Sequence, residues 1–221
     1  LGHRASRGER AGFSRSPSRL AARGVPSLLD SDEDVKVVML LKNGQVLHGI
    51  QTWVALPVEK EEVEPEFLHY PATDFPEIDR EGARIRVIAG SAFGATSPLV
   101  TASPTLYLDI ALEPDASIVL PAAASERAVY AAMGSAMLDG MAWEKGAMPV
   151  LVDGAEPVLQ AGPDGARIVV VGGERLEGSR QIYWNFVSSR AERIEQAKMD
   201  WKAGRFPLVP GDEKEFIPLP E

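Results

Sequence analysis

From Ala83 onward the chain alternates short apolar runs with turn residues, at 85–89, 105–112, 117–120, 127–133, 136–138, 148–152, 156–161, 167–171 and 181–186. Runs of this length, evenly spaced and broken by turn chemistry, predict the strands of an antiparallel β-barrel or sandwich. Asp139-Gly140, Asp153-Gly154 and Asp164-Gly165 each fall between two runs, as the central pair of a hairpin turn does. Gly172-Gly173-Glu174 follows a Val169-Val170-Val171 run. With no helix pattern and no Lys-Ser behind it, this segment reads as a hairpin and not as a phosphate-binding loop.

The period changes after Ser188. Ala191, Ile194, Ala197, Lys198 and Trp201 recur at helical spacing, Ser189 and Glu192 stand as a capping box, and Gly204 is a natural stop. Trp201 is expected to pack on a barrel wall. The tail beyond carries Phe206, Phe216 and Ile217 between prolines, which predicts an extended strap. Upstream, a β-branched run at 35–41 reaches Asn43-Gly44, so a hairpin is expected over 35–56. Its second arm, 46–56, is mostly apolar, contains Trp53 and stops at Pro57, as a core strand would. Residues 59–66 are acidic and proline-bounded, and the Phe67–Asp79 stretch adds two more prolines, so an extended linker between two barrels fits. Residues 1–24 show neither period, and their small and charged side chains bury too little to offset ordering entropy, so this arm should be loose.

Composition narrows the function. A chain of 221 residues with 45% hydrophobic content can fill one or two ordinary cores. The absence of cysteine excludes disulfides, thiolate metal sites and cysteine nucleophiles, and fits an intracellular, cytoplasmic setting. No run of eighteen apolar residues marks a membrane span, and no G-x-S-x-G elbow marks a serine hydrolase. The net charge of -9 disfavours nonspecific nucleic-acid binding. Arg4, Arg7, Arg10, Arg15, Arg19 and Arg23 nevertheless oppose only Glu9. That arm could be electrostatic, reaching for nucleic acid or acidic partners; a solvated tail left by truncation or a shifted reading frame is the simpler reading.

Three segments in order carry a family resemblance: LHGIQTWVALP from Leu47, IRVIAGSAFGATSPLVTASPTLYLDIALEP from Ile85, and GSRQIYWNFVSSRAERIEQAKMDW from Gly178 followed by KAGRFPLVPGDEKEFIPLP. Over roughly 44–221 the chain resembles the pirin family. The resemblance implies an all-β, double-cupin architecture of two facing barrels with a C-terminal helix, and a metal site in the first barrel. It also implies that this chain begins partway through that barrel. The expected organisation is a basic arm and linker over 1–34, a remnant of the first cupin with the connector over 35–82, and the second cupin with closing helix and tail over 83–221. The activity implied is a metal-dependent quercetin 2,3-dioxygenase using Fe(II) or another divalent transition metal. Some members are instead regulatory partners of other proteins.

A cupin centre needs three imidazoles and a carboxylate, or two and one, converging inside a barrel. The chain has three histidines, His3, His48 and His69, on three separate elements, which is not the close spacing a preorganised site requires. Where the resemblance implies a His-x-His pair, nothing corresponds. Where it implies a later His-x-Glu pair, the chain reads AGFSRSPSRL and places Phe13 and Arg15 at the ligand positions, and an arginine there repels a cation. His48 reads as a packing residue and His69 as a surface or interdomain contact. In the second barrel, SERAVYAAMGSAMLDG offers Glu126 without a histidine, so Glu126 and Arg127 read as an exposed ion pair or hairpin-end charges. No catalytic, cofactor-binding or metal-ligating residue is therefore assigned, and no cofactor is expected in this chain. The expected role is that of an interaction or regulatory protein with a protein partner. The alternatives are the family dioxygenase and an inactive fragment of one. An incomplete first barrel would leave open edges and the apolar face around Trp53, so self-association is also expected.

Overall fold

The computed structural model describes residues 49–143, 146–208 and 216–220, which fall into two units, one of 70–176 and one of 49–69 with 177–208 and 216–220. The first expected arm of the hairpin over 35–56, the basic arm, His3, Phe13, Arg15 and His48 lie outside the described residues.

Residues 70–176 hold the strands that the apolar runs predict. They are β1 (Glu77–Arg80), β2 (Ala83–Ala89), β3 (Ser91–Ala92), β4 (Ala95–Thr96), β5 (Thr105–Leu112), β6 (Ser117–Val119), β7 (Glu126–Leu138), β8 (Met141–Ala142), β9 (Val150–Leu151) and β10 (Val158–Gly173). Eight of them form one sheet in the order β1-β2-β5-β10-β7-β8, with β6 joined to β10 and β9 to β7, while β3 and β4 make a separate hairpin. All pairings are antiparallel. Among the described residues the order does not close into a ring, so the unit is a cupin-like sandwich. Alternation explains the faces: Leu106, Leu108, Ile110 and Leu112 of β5 point inward with Ile85, Val87, Ile168 and Val170, all at most 5% exposed.

The long strands β7 and β10 each join two of the expected runs. Ala161 pairs with Ala136 and Ala166 with Gly134, so 162–165 bulge opposite Ser135 while the ladder continues beyond. Asp164-Gly165 is therefore not a hairpin turn, contrary to expectation. It belongs to a corner where β10 bends and its other neighbour changes from β6 to β5. Side chains cannot enter this corner, since a Cβ on Gly134 would lie 2.1 Å from the Gly165 carbonyl oxygen. Gly172-Gly173 is likewise not a turn but the paired end of β10, opposite Leu106 and Thr105 on one side and Arg127 and Glu126 on the other. Asp139-Gly140 is the tight turn between β7 and β8, with φ of 47° and 77°. Asp153-Gly154 sits in a turn closed by the Ala155 N–H on the Val152 carbonyl at 3.1 Å.

In the other unit, the run at 181–186 is a hairpin and not one strand: β11 (Gln181–Tyr183) turns through Trp184, at φ 49°, into β12 (Phe186–Ser188). Helix α1 (Ala191–Lys202) follows. Its stop at Gly204 is a Schellman motif, with Gly204 N–H on Trp201 and Arg205 N–H on Asp200 at 3.1 and 2.9 Å. The expected capping box does not form; the N-cap position is Arg190, without a side-chain cap. Trp201 packs with Trp184, Phe186, Phe206 and Phe216, and its Nε1 donates to the Ile217 carbonyl at 2.8 Å. Its partners are thus the hairpin and the strap. Tyr183 Oη donates to the Pro220 carbonyl at 2.6 Å, fixing the end of that strap. The expected core arm departs further from expectation: 49–57 form no strand, Ala55 is buried and Trp53 is half-buried. No helix among the described residues is long and apolar enough to cross a membrane.

Candidate functional site

The inside of the sandwich is filled by aliphatic side chains, with Ile85, Ile110, Leu159 and Ile168 fully buried, and among the described residues it presents no imidazole or carboxylate to a ligand. No group of three or more His, Cys, Asp or Glu stands together among the described residues. His69 is exposed and not within any such group. The described residues therefore do not fit the three-imidazole, one-carboxylate set that a cupin metal needs.

Glu126 and Arg127 do not pair. Adjacent residues of a strand face opposite sides, and here Glu126 lies near Arg175 at 3.8 Å on the surface while Arg127 is 2% exposed. The Arg127 guanidinium donates to the carbonyls of Pro121 at 2.7 Å, Ala155 at 2.6 Å and Val152 at 3.4 Å, tying two loops to β7. Its role is structural.

Charge gathers instead on the outer face of the sheet. Register places Glu77 opposite Arg86 and Arg86 opposite Asp109, and places Arg84 and Arg167 on either side of Ala111. Glu77 and Arg86 pair at 2.5 Å, Arg86 stands 4.0 Å from Asp109, and Arg167 grips Asp109 bidentately at 2.8 and 2.7 Å. The Asp109 hydrogen bond raises the Arg167 pKa above the ordinary arginine value, outweighing the opposing effect of burial, with the charges of Asp109 and Tyr107 adding to it. These five charged residues, with Ala111 as floor, line an open depression. Sequence reading did not single them out. The signal was present, since Arg84 and Arg86 share one face of a strand at a spacing of two.

A second polar cluster centres on Glu61, next to a single 3-10 turn (Val58–Lys60) in the expected linker. Its carboxylate accepts from the Ser189 N–H at 2.9 Å, from the Ser189 and Ser188 hydroxyls at 3.0 Å each, and from Arg180 at 2.9 Å. Ser189 thus leads into α1 through a partner 128 residues away. Burial pushes the Glu61 pKa up, but the Ser189 N–H and hydroxyl, the Ser188 hydroxyl and the Arg180 charge together hold it below the ordinary carboxylate value. Arg180 also donates to the Leu56 carbonyl at 2.9 and 3.3 Å, so a side chain and not a ladder satisfies that group. Glu62 adds exposed pairs to Arg190 and Arg193 on the helix.

An eight-stranded antiparallel sandwich with a packed interior defines the cupin class. Residues 107–207 match the pirin C-terminal cupin domain. The chain is 44% identical over 183 residues to a pirin-like protein of Caulobacter vibrioides, covering 82% of this chain and 63% of that one. It is 28% identical over 180 residues to a putative quercetin 2,3-dioxygenase of Pseudomonas aeruginosa, covering 78% and 56%. The crystal structure of a quercetin 2,3-dioxygenase from Acinetobacter baumannii superposes with a TM-score of 0.69 at 28% identity, covering 76% of this chain and 57% of that one. Residues 107–207 are a pirin C-terminal cupin domain, and the chain spans between 56% and 63% of the length of these relatives.

Proposed function

We propose that this polypeptide acts as an interaction or regulatory protein in a cytoplasmic setting, without metal-dependent catalysis of its own. The observation that carries this reading is the donor inventory: three histidines in the whole sequence, of which His69 is exposed and stands in no cluster. A cupin oxygenase needs two or three imidazoles converging on one ion to orient substrate and support electron transfer to dioxygen. A sheet unit with a solid interior acts through its outer surfaces.

A second reading is favoured by a different observation, the quercetin 2,3-dioxygenase names carried by relatives of 28% identity. It would require a divalent transition metal such as Fe(II). Elemental analysis of the purified chain after iron, nickel, copper and manganese supplementation, with oxygen uptake on quercetin, separates the two. Substoichiometric metal and no uptake are expected. Near-stoichiometric metal with turnover overturns the interaction reading.

A further inference from the structure

We propose that the outer-face depression between Arg84 and Arg167 is a binding site for a phosphate group, either free or as a monoester. This inference goes beyond the interaction reading and does not depend on the metal question.

The site is built by register. Arg84 on β2 and Arg167 on β10 are both directly opposite Ala111 on the intervening β5. Two strand spacings put their Cα atoms about 9.5 Å apart, with only a methyl group between the two long side chains. Two guanidinium groups can converge above that methyl on one tetrahedral anion, and no side chain of β5 stands in the way.

The donors there are unspent. Among the described residues the Arg84 side chain has no ion pair or hydrogen bond, so its whole fork is available. Arg167 uses Nε and one terminal nitrogen on Asp109, which leaves its other edge open and holds the guanidinium in a fixed plane. Arg86, whose Nε is buried without a hydrogen-bond partner among the described residues, stands beside them. Three guanidinium groups against the carboxylates of Glu77 and Asp109 leave one positive charge in the lining of the depression; Asp79, opposite Arg84 on β1, lies outside that lining and makes no ion pair with Arg84 among the described residues. Asp109 is already neutralised by its bidentate partner, so it orients Arg167 more than it repels an incoming anion. Tetrahedral phosphate suits two planar forks better than chloride does, because each fork engages two oxygens.

The test is a ¹H–¹⁵N titration of the whole chain with inorganic phosphate at low ionic strength, against chloride at matched ionic strength. Saturable shifts centred on Arg84, Ala111 and Arg167, absent with chloride, are expected. Arg84→Gln should weaken binding by about tenfold or more, since it removes a charge-assisted fork. It touches no internal contact, so the fold is retained. Ala111→Leu, which fills the floor on a half-exposed outer face, should abolish binding while the sheet resonances persist. A phosphoserine hexapeptide run in parallel assigns the source: tighter binding than phosphate points to a phosphorylated protein segment, and equal or weaker binding to a free phosphate compound. Linear shifts, equal shifts with chloride, or unchanged affinity in both variants would overturn the proposal.

Discussion

The two units of this chain achieve order by different means. Residues 70–176 rest on ladder hydrogen bonds over a core whose buried members, among the described residues, are all aliphatic, while Phe75 and Tyr107 are buried outside it. The unit of 49–69, 177–208 and 216–220 rests on four aromatic rings around Trp201 and, among the described residues, one buried ion pair, Glu61 with Arg180. An aliphatic core spreads its contacts over many side chains, each replaceable at a few kcal/mol. A cluster around one helix concentrates them in single groups.

The largest effect should come from Ile168→Ala, which empties a fully buried position in the centre of the sheet. A loss of about 4 kcal/mol in urea unfolding is expected, combining lost transfer energy with the cavity left behind. Segment-resolved hydrogen exchange sharpens the comparison: protection should fall across β2, β5, β7 and β10 and be retained in α1. Equal loss in α1 would show that the two units unfold as one.

Next comes Gly134→Ala at the corner. Gly134 has φ 71° and its Cβ would meet the Gly165 oxygen at 2.1 Å, so backbone strain and overpacking act together, for about 3 kcal/mol. The corner also shows where sequence reading stopped. The individual strands were legible because alternation is local; the run at 105–112 has the bounds of β5, and 85–89 lies within β2. Gly162-Pro163-Asp164-Gly165 has the local chemistry of a hairpin. What makes it a bulge is that both flanks pair with the same β7, and that is a nonlocal fact. The same limit hid Glu61. A capping box between Ser189 and Glu192 is the local solution, and a carboxylate from a distant segment outcompetes it. The misreading of Glu126 with Arg127 was avoidable, because the two-residue period already sends neighbours to opposite faces. By the same rule the outer-face arginines could have been grouped.

Glu61→Gln tests the ion-pair side of the comparison. It leaves the Arg180 guanidinium, 9% exposed, without its counter-charge. A loss of about 2 kcal/mol near neutral pH is expected, below the usual range for a broken buried pair because Gln keeps one acceptor oxygen. The sign of the pH dependence follows from the lowered pKa of Glu61. A carboxyl held below its unfolded value contributes stability above about pH 4.3, and that contribution is lost as pH falls through the folded-state value. Wild-type and variant unfolding midpoints should therefore converge on acidification. A constant gap between about pH 7 and 3 would place the stabilisation in shape and not in charge.

The smallest effect isolates conformation from contact. Gly204 has φ 66°, close to the 71° of Gly134, yet a Cβ there would meet nothing within 4 Å. Gly204→Ala should then cost about 1 kcal/mol, the strain of a left-handed residue at the end of α1 and no more. Gly204→Asn should cost less than Ala, because asparagine tolerates that region. Thermal unfolding of both variants beside Gly134→Ala gives the comparison directly. The excess of the corner substitution over the helix-end one measures the close approach of β7 to the bulge of β10. If the two alanine variants cost the same, the corner can shift to admit a methyl group. The bend of β10 would then be held by its pairing with β5 and β6, and not by the absence of a side chain at Gly134.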